Sequence, residues 1–270
     1  LISKEIVPGK VVKEQEDKKL GTKIWTLSNG AKVVLKHSNY KKDQIMVNGV
    51  SKGGAYLYDN NIDDVYNTLV FDDIIALSKV GGFTDSQIKK LLAGKRANAS
   101  LGLANRTESV RGVSSVKDIE TFLQMVYLLM TDVSKDEEAY SAWMDAMKEA
   151  LINKDAEPKN AVADSLSVAI YKGNPRRLSI SSDDLDRINY DRIIEIWKER
   201  FCNAGDFTFN FVGNIDEETI KPLIEKYIAS LPAAKKREKY GEDKYGMRQE
   251  EYVNVFERPM QTTVGTVHAG

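Results

Sequence analysis

The sequence has very little histidine and cysteine, the residues that most often carry metal and nucleophilic chemistry. Its one cysteine, Cys202, excludes an internal disulfide, and its two histidines, His37 and His268, lie near opposite ends of the 270 residues. A catalytic zinc ion normally takes three protein ligands, usually including closely spaced histidines on one helix. No H-x-x-E-H, H-E-x-x-H, G-x-S-x-G, Walker or G-x-G-x-x-G motif is present. The residues alone therefore assign no catalytic and no metal-binding position.

Long apolar runs and an excess of charge of one sign are also missing. No stretch approaches the roughly 20 residues of a membrane-spanning helix, and the first part of the chain has no signal-peptide hydrophobic region. Lys and Arg number 39 and Asp and Glu 40, a net charge of −1, so no global field steers the chain to nucleic acid or anionic lipid. We expect no nucleic-acid and no membrane partner, and these features assign no cellular compartment.

What the sequence does contain is enough apolar residues for a core, arranged first as strands. Hydrophobic residues make up 42% of the chain, which suits one large or two modest domains. Asn29-Gly30 favours the type I′ turn of a β-hairpin between the runs 24–27 and 31–35. Further strands are predicted at 44–51, 97–103, 109–115 and 207–211.

Helical periodicity dominates the rest. The clearest stripe is in 117–131, where Ile119, Phe122 and Val126 share one face. Other helices are predicted at 62–77, 85–92, 136–154 and 158–171 and after the caps Asn189 and Asp216. Runs of strands and runs of helices predict an α+β fold, a mainly antiparallel sheet with helices packed on it.

Four segments are expected along the chain. Residues 1–22 and 233–248 are charged, contain glycine and lack periodicity, so we interpret them as linkers. Residues 23–232 form the αβ domain. Residues 249–270 contain two strand-like runs, Tyr252–Glu257 and Thr262–Val267, but about twenty residues cannot close a sheet with its own core. They are interpreted as the truncated start of a following domain, and 1–22 as a linker from a preceding one.

Carboxylates cluster at three places, and helix caps or a solvated helix face explain such clusters most simply. The clusters are Asp63/Asp64, Asp72/Asp73 and Asp183/Asp184/Asp186. A hard-cation site is the alternative, although the D-x-[DN]-x-[DN]-G calcium pattern is absent. Asp72 and Asp73 fall within an otherwise apolar helix, where either a buried partner or a polar groove would explain them.

Two other features admit a structural and a functional interpretation. Arg176 and Arg177 follow a turn at Asn174-Pro175, where a basic pair is usually exposed and idle. The alternative is pairing with an acidic surface or a peptide carboxylate, which suits the forked guanidinium. Cys202 is interpreted as an inert, partly buried thiol and not as a nucleophile, because no histidine is near it in sequence.

Several segments in order resemble the repeated αβ domain of the pitrilysin/insulinase family of zinc metallopeptidases, the inverzincins. The segment 25–36 resembles their opening L-x-N-G-x-x-V-V/L hairpin, and 51–55 the strand end before their first helix. Asn174-Pro175-Arg176-Arg177 resembles the NPRR stretch of their non-catalytic repeats. Residues 204–216 resemble the A-x-D-F-T-F-x-F-V-G-N-x-D strand near the end of the unit. The match covers roughly 23–232.

The resemblance implies a large protein of four such domains in two halves that close around a peptide. In the catalytic domain the first helix carries H-x-x-E-H, whereas the equivalent 62–73 here has neither His nor Glu, so no zinc ligand or catalytic Glu is carried over. The chain then corresponds to a non-catalytic domain of the C-terminal half, and no substrate-binding residue is assigned.

The implied role is a chamber wall in a zinc metalloendopeptidase, a hydrolase that degrades peptides. The zinc would sit in the catalytic domain of the parent protein, with no cofactor in this segment. The implied partners are the catalytic half, in the same chain or in a partner subunit, and a peptide substrate. The alternative is a purely structural subunit of the same fold in a larger complex without protease activity, and an H-x-x-E-H motif upstream or in a neighbouring subunit would separate the two.

Overall fold

The computed structural model describes residues 1–155, 157–234, 237–253 and 255. The strands are β1 (Val11–Asp17), β2 (Thr22–Leu27), β3 (Lys32–His37), β4 (Ile45–Lys52), β5 (Lys79–Val80), β6 (Ala97–Leu103), β7 (Thr107–Ser114), β8 (Val133–Ser134) and β9 (Thr208–Gly213). The α-helices are α1 (Ile62–Leu69), α2 (Phe71–Leu77), α3 (Asp85–Leu91), α4 (Ile119–Thr131), α5 (Glu137–Asp155), α6 (Pro158–Tyr171), α7 (Tyr190–Phe201) and α8 (Glu217–Tyr227). Short 3₁₀ helices lie at Ala55–Tyr58, Ser182–Arg187 and Ala204–Asp206.

One large sheet organises the described structure. Its seven strands run in the order β1-β2-β3-β9-β4-β7-β6, and β5 pairs with β8 separately. Every neighbouring pair in the large sheet is antiparallel except β3 and β9, which are parallel. The late strand β9 thus inserts between β3 and β4 and ties the end of the domain to its beginning. The predicted α+β fold with a mainly antiparallel sheet is confirmed.

The hydrophobic core lies between this sheet and the helices on one of its faces. Phe209 and Phe211 of β9 are fully buried, as the alternation of the strand predicts. Phe201 of α7 stacks on Phe71 of α2 with ring centroids 5.7 Å apart. Burying each such ring stabilises the fold by about 1.5–3 kcal/mol relative to exposure. Gly49 of β4 leaves room for this packing, because a Cβ there would lie 2.6 Å from the Phe209 ring.

The opposite face of the sheet, which we call the open face, turns its side chains away from the helices. Strand alternation and register assign its members. They are Lys13, Gln15, Asp17, Thr22, Ile24, Thr26, Lys32, Val34, Lys36, Met46, Asn48, Val50, Lys52, Asn98, Ser100, Thr107, Ser109, Arg111, Val113, Thr208, Asn210 and Val212. Met46 and Val212 are 54% and 41% exposed.

The predicted helix 62–77 is divided into α1 and α2 at Val70, whose φ and ψ are −102° and 4°. This break explains Asp72 and Asp73, because both lie in the first turn of α2, where the helix dipole favours carboxylates. Asp72 Oδ1 also accepts a hydrogen bond of 2.8 Å from the Leu103 amide at the end of edge strand β6. The partner of Asp72 is therefore a strand backbone, and both aspartates are exposed.

The interpretation of residues 1–22 as a linker is wrong for β1. This strand pairs with β2 along its length, and the Val11 amide donates to Glu225 Oε1 of α8 over 2.9 Å. The sequence VVKEQED shows no apolar alternation, because both faces of this strand are largely exposed. Its charged side chains suit an edge strand, since charges protect a sheet edge from further pairing. The boundaries of the αβ domain otherwise stay a prediction.

The second predicted linker, 233–248, has neither helix nor strand in its described residues, but it is attached to the domain. The Gly241 amide donates to the Gly53 carbonyl and the Arg248 amide to the Ile170 carbonyl, both over 2.8 Å. The strand expected at Thr262–Val267, and half of that at Tyr252–Glu257, lie outside the described residues. Among the residues that are described, no helix is both long and apolar enough to cross a membrane.

Candidate functional site

The site that the family resemblance directs attention to is α1, because the resemblance implies that this helix is the counterpart of the zinc-binding one. Asn61 caps it by accepting a hydrogen bond from the Asp63 amide over 3.0 Å. Asp64, one residue further, accepts two parallel hydrogen bonds from Arg192 of α7, of 2.9 Å from Nε and 3.0 Å from Nη2. Such a bidentate pair fixes both side chains in direction and in distance. The first turn of α1 is thus joined to α7.

Arg192 is shared among several carboxylates. Its Nη1 donates to Glu199 Oε1 over 2.9 Å and to Glu195 Oε2 over 3.0 Å. The hydrogen bond to Asp64 is the main reason that the pKa of Arg192 lies above its ordinary value. Glu199 in turn accepts a 2.6 Å hydrogen bond from the Tyr58 hydroxyl, and burial together with this bond raises the pKa of Tyr58. The guanidinium therefore stays charged and organises the surface between α1 and α7.

The remaining polar side chains of α1 are also engaged by the later part of the chain. Asn67 is 1% exposed, and its Oδ1 accepts a 2.7 Å hydrogen bond from the Asn189 amide that precedes α7. The Thr68 hydroxyl donates to the Val65 carbonyl and accepts from Arg176 Nη1 over 2.9 Å. We call Asp64, Asn67, Thr68, Arg176 and Arg192 the α1 clamp, because together they attach the segment 176–192 to α1.

Arg176 is buried, so the interpretation of this arginine as exposed and idle is wrong. Its side chain is 3% exposed and pairs with Asp59, whose side chain is 0% exposed, over 2.5 Å. Nη2 donates to the Ala55 carbonyl over 2.6 Å. The partner is neither an acidic surface nor a peptide carboxylate, as the alternative interpretation had it, but a buried carboxylate of the same domain. Arg177 instead lies over the Tyr171 ring, 5.4 Å from its centroid.

A second buried pair, which sequence reasoning missed, joins Glu108 of β7 to Arg200 of α7. Glu108 is 1% exposed, lies 3.5 Å from Arg200 Nη1 and accepts a 2.9 Å hydrogen bond from the Gly54 amide. Burial raises the pKa of Glu108 to about 7, because the lost hydration outweighs both of these favourable contacts. The strand alternation could have revealed it, since Glu108 shares the core-facing phase of Val110.

The side chains of α1 do not fit a catalytic zinc ion. The oxygen atoms of Asp63 and Asp64 face the guanidinium groups of Arg187 and Arg192, which would repel a divalent cation. Across the described ranges, no group of three or more His, Cys, Asp or Glu is placed to hold a metal. His37 contacts the Ile215 carbonyl and Asn39, and His268 lies outside the described residues.

The other candidate residues have local structural roles. Burial raises the pKa of the partly buried Cys202 thiol to about 11, which agrees with an inert thiol. Asp184 accepts hydrogen bonds from the Ser181 amide and hydroxyl at the start of the 3₁₀ helix Ser182–Arg187. Asp63 pairs with Arg187 over 2.8 Å. Asp184 thus completes a capping box with Ser181, and Asp63 is an ion-pair partner in the first turn of α1.

Comparison with known proteins identifies the relationship. No protein-family model matches the chain. It is 25% identical over 233 residues, 86% of its length, to "Zinc protease PQQL-like" of Arabidopsis thaliana. It is 21% identical over 206 residues, 76% of its length, to "Probable zinc protease PqqL" of Escherichia coli K12. The chain is thus similar in sequence to two proteins described as zinc proteases. It spans only 22% of the length of each of these two relatives.

Solved structures show that the fold is that of the pitrilysin-type domain. The periplasmic protease PqqL of Escherichia coli superposes with a TM-score of 0.76 at 17% identity, over 92% of this chain and 27% of that one. The peptidase M16 inactive domain from Pseudomonas fluorescens superposes with a TM-score of 0.59 at 16% identity, over 81% of this chain and 53% of that one. The resemblance inferred from the sequence is confirmed, and the fold is the one that this chain shares with these two solved structures.

Proposed function

We propose that this chain is a non-catalytic wall of the chamber in which a zinc metalloendopeptidase degrades peptides. The observation that carries the proposal is the α1 clamp. The helix that bears the metal motif in catalytic pitrilysin-type domains here directs Asp64, Asn67 and Thr68 to hydrogen bonds inside the domain. A helix used in this way serves the rigidity of the domain and leaves the metal chemistry to another part of the protein.

The proposal assigns zinc to the catalytic domain of the parent protein and makes the catalytic half, in the same chain or in a partner subunit, the partner of this segment. A wall without ligands still contributes to hydrolysis, because enclosing a flexible peptide orders it before the reaction. Its rigid sheet and internally paired helix surface suit that task. The competing function, a structural subunit of a complex without proteolysis, predicts no effect on peptide hydrolysis.

The test compares the metal-bearing half of the parent protein alone with the same half joined to this segment and the domain after it. The measurement is kcat/KM on an unstructured peptide, with zinc content determined in both preparations. We expect the isolated half to lose on the order of 100-fold in kcat/KM at unchanged zinc content, because the substrate is no longer positioned. Equal kcat/KM in the two forms would contradict the wall function and favour the structural-subunit alternative.

A further inference from the structure

The open face of the sheet carries positive charge that the described structure does not neutralise. Its cations are Lys13, Lys32, Lys36, Lys52 and Arg111, and its one carboxylate, Asp17, accepts hydrogen bonds from the Lys19 and Leu20 amides in the adjoining turn. None of the five cations forms an ion pair with a described residue. The whole chain has a net charge of −1. The fold, and not the composition, therefore concentrates cations on this face.

Arg111 lines a groove of about 740 Å³ on the open face. Its guanidinium lies over Gly102 of β6, where a Cβ would be 2.5 Å from Nη2. The carboxamides of Asn48 and Asn210 line the same groove, and so does the exposed apolar side chain of Met46. The groove thus combines a cation, amide groups that donate and accept, and apolar contact area.

These groups together match one class of ligand. A guanidinium binds a carboxylate with two parallel hydrogen bonds, carboxamides complement peptide groups, and Met46 and Val212 offer apolar contact to side chains of alternating direction. We propose that the open face binds an extended acidic segment of a polypeptide substrate, with a carboxylate at Arg111. This proposal rests on the proposed function, since it names the substrate chemistry that the wall would accept.

Nucleic acid fits the open face less well than an acidic polypeptide. The five cations are spread over β1, β3, β4 and β7 and do not form a continuous track for phosphates. The strand residues assigned to the face include no aromatic ring on which a base could stack, although stacking platforms are what single-stranded nucleic acids usually need. Mixed amide and apolar groups around one arginine suit a peptide instead.

The test measures binding of fluorescent peptides to this chain by anisotropy at about 50 mM salt, where the screening length still exceeds 10 Å. One peptide alternates Asp with Val and Gly, and its counterpart has Asn at every Asp. We expect the acidic peptide to bind about tenfold more tightly than its counterpart. Arg111→Gln should weaken the acidic peptide about fivefold or more and leave the Asn peptide unchanged.

The matched control is Lys148→Gln, which removes the same charge from an exposed position on α5, away from the open face. The control should bind the acidic peptide as the unchanged chain does. Equal affinity for the two peptides, equal effects of the two substitutions, or tighter binding of a single-stranded oligonucleotide would each overturn the proposal. Because only this chain is used, failure here leaves the wall function standing. Failure of the kcat/KM experiment with acidic-peptide binding intact would remove the wall function alone.

Discussion

The two sides of the sheet differ in whether the arginine and lysine side chains compared below are paired with carboxylates. On the helix-covered side, Arg176, Arg192 and Arg200 each pair with a carboxylate that is buried or nearly so. On the open face, Lys32 and Arg111 have no carboxylate partner among the described residues. Cations of the first kind are fixed parts of the fold, whereas cations of the second kind keep their bonding capacity for a ligand. These arginines therefore differ in whether they pair with a carboxylate inside the protein.

The largest expected effect comes from breaking the buried pair on the helix side. Arg176→Met leaves the Asp59 carboxylate uncompensated in a fully buried position, which should cost about 3–5 kcal/mol of the free energy of unfolding. Urea titration followed by circular dichroism measures it. The control Arg177→Met removes a cation lying over a tyrosine ring and should cost about 1 kcal/mol or less. If R176M lost no more free energy of unfolding than R177M, the buried pair of Arg176 would not stabilise the fold.

A smaller effect, and one that depends on pH, is expected at Glu108. Its pKa rises on folding from the ordinary value of 4.5 to about 7, so between these values the folded state binds the proton that the unfolded state has released. The contribution of Glu108 to stability is therefore complete below pH 4.5 and is lost as pH rises through 7. The total loss is on the order of 3 kcal/mol, since one pKa unit corresponds to about 1.4 kcal/mol.

Glu108→Gln tests this prediction, because glutamine keeps the shape and does not titrate. Relative to E108Q, the unchanged chain should lose free energy of unfolding as the pH rises from 5 to 8. Thermal or urea unfolding across that range measures it, and Glu195→Gln on exposed α7 surface serves as control. A difference that stays constant with pH would mean that Glu108 is ionised throughout, held by Arg200.

The smallest effect on the free energy of unfolding is expected on the open face, and it tests the comparison of the two faces from the side of the unpaired cations. Lys32→Gln and Arg111→Gln remove cations without carboxylate partners, so each should change the free energy of unfolding by no more than about 0.5 kcal/mol. The same urea titration measures this change. Destabilisation by either substitution as large as that of R176M would show that the open face is part of the stabilising structure and not a surface kept for binding.

Much of the fold was accessible from local sequence. The position of the hairpin at Asn29-Gly30, the phenylalanine alternation of β9 and the caps Asn189 and Asp216 are all where the sequence predicts them. The predicted type I′ turn is wrong, because Gly30 has a positive φ but Asn29 does not. Each is a local property, because a turn, a strand period or a cap depends on residues only a few positions apart. Edge strand β1 was missed, since a strand exposed on both faces and rich in charge has no apolar period to detect.

The sequence by itself determined the α+β class, the resemblance to zinc peptidases and the lack of an H-x-x-E-H motif, since each depends on residue identity and spacing. Only the tertiary structure decided which charged side chains form ion pairs inside the protein. Arg176 and Asp59 lie 117 positions apart, and Arg192 and Asp64 lie 128 apart, so no local pattern could pair them. Ion pairing acts over a few ångströms of space and is indifferent to distance along the chain. The fold therefore separated cations that stabilise from cations left available, although both kinds look alike in the sequence.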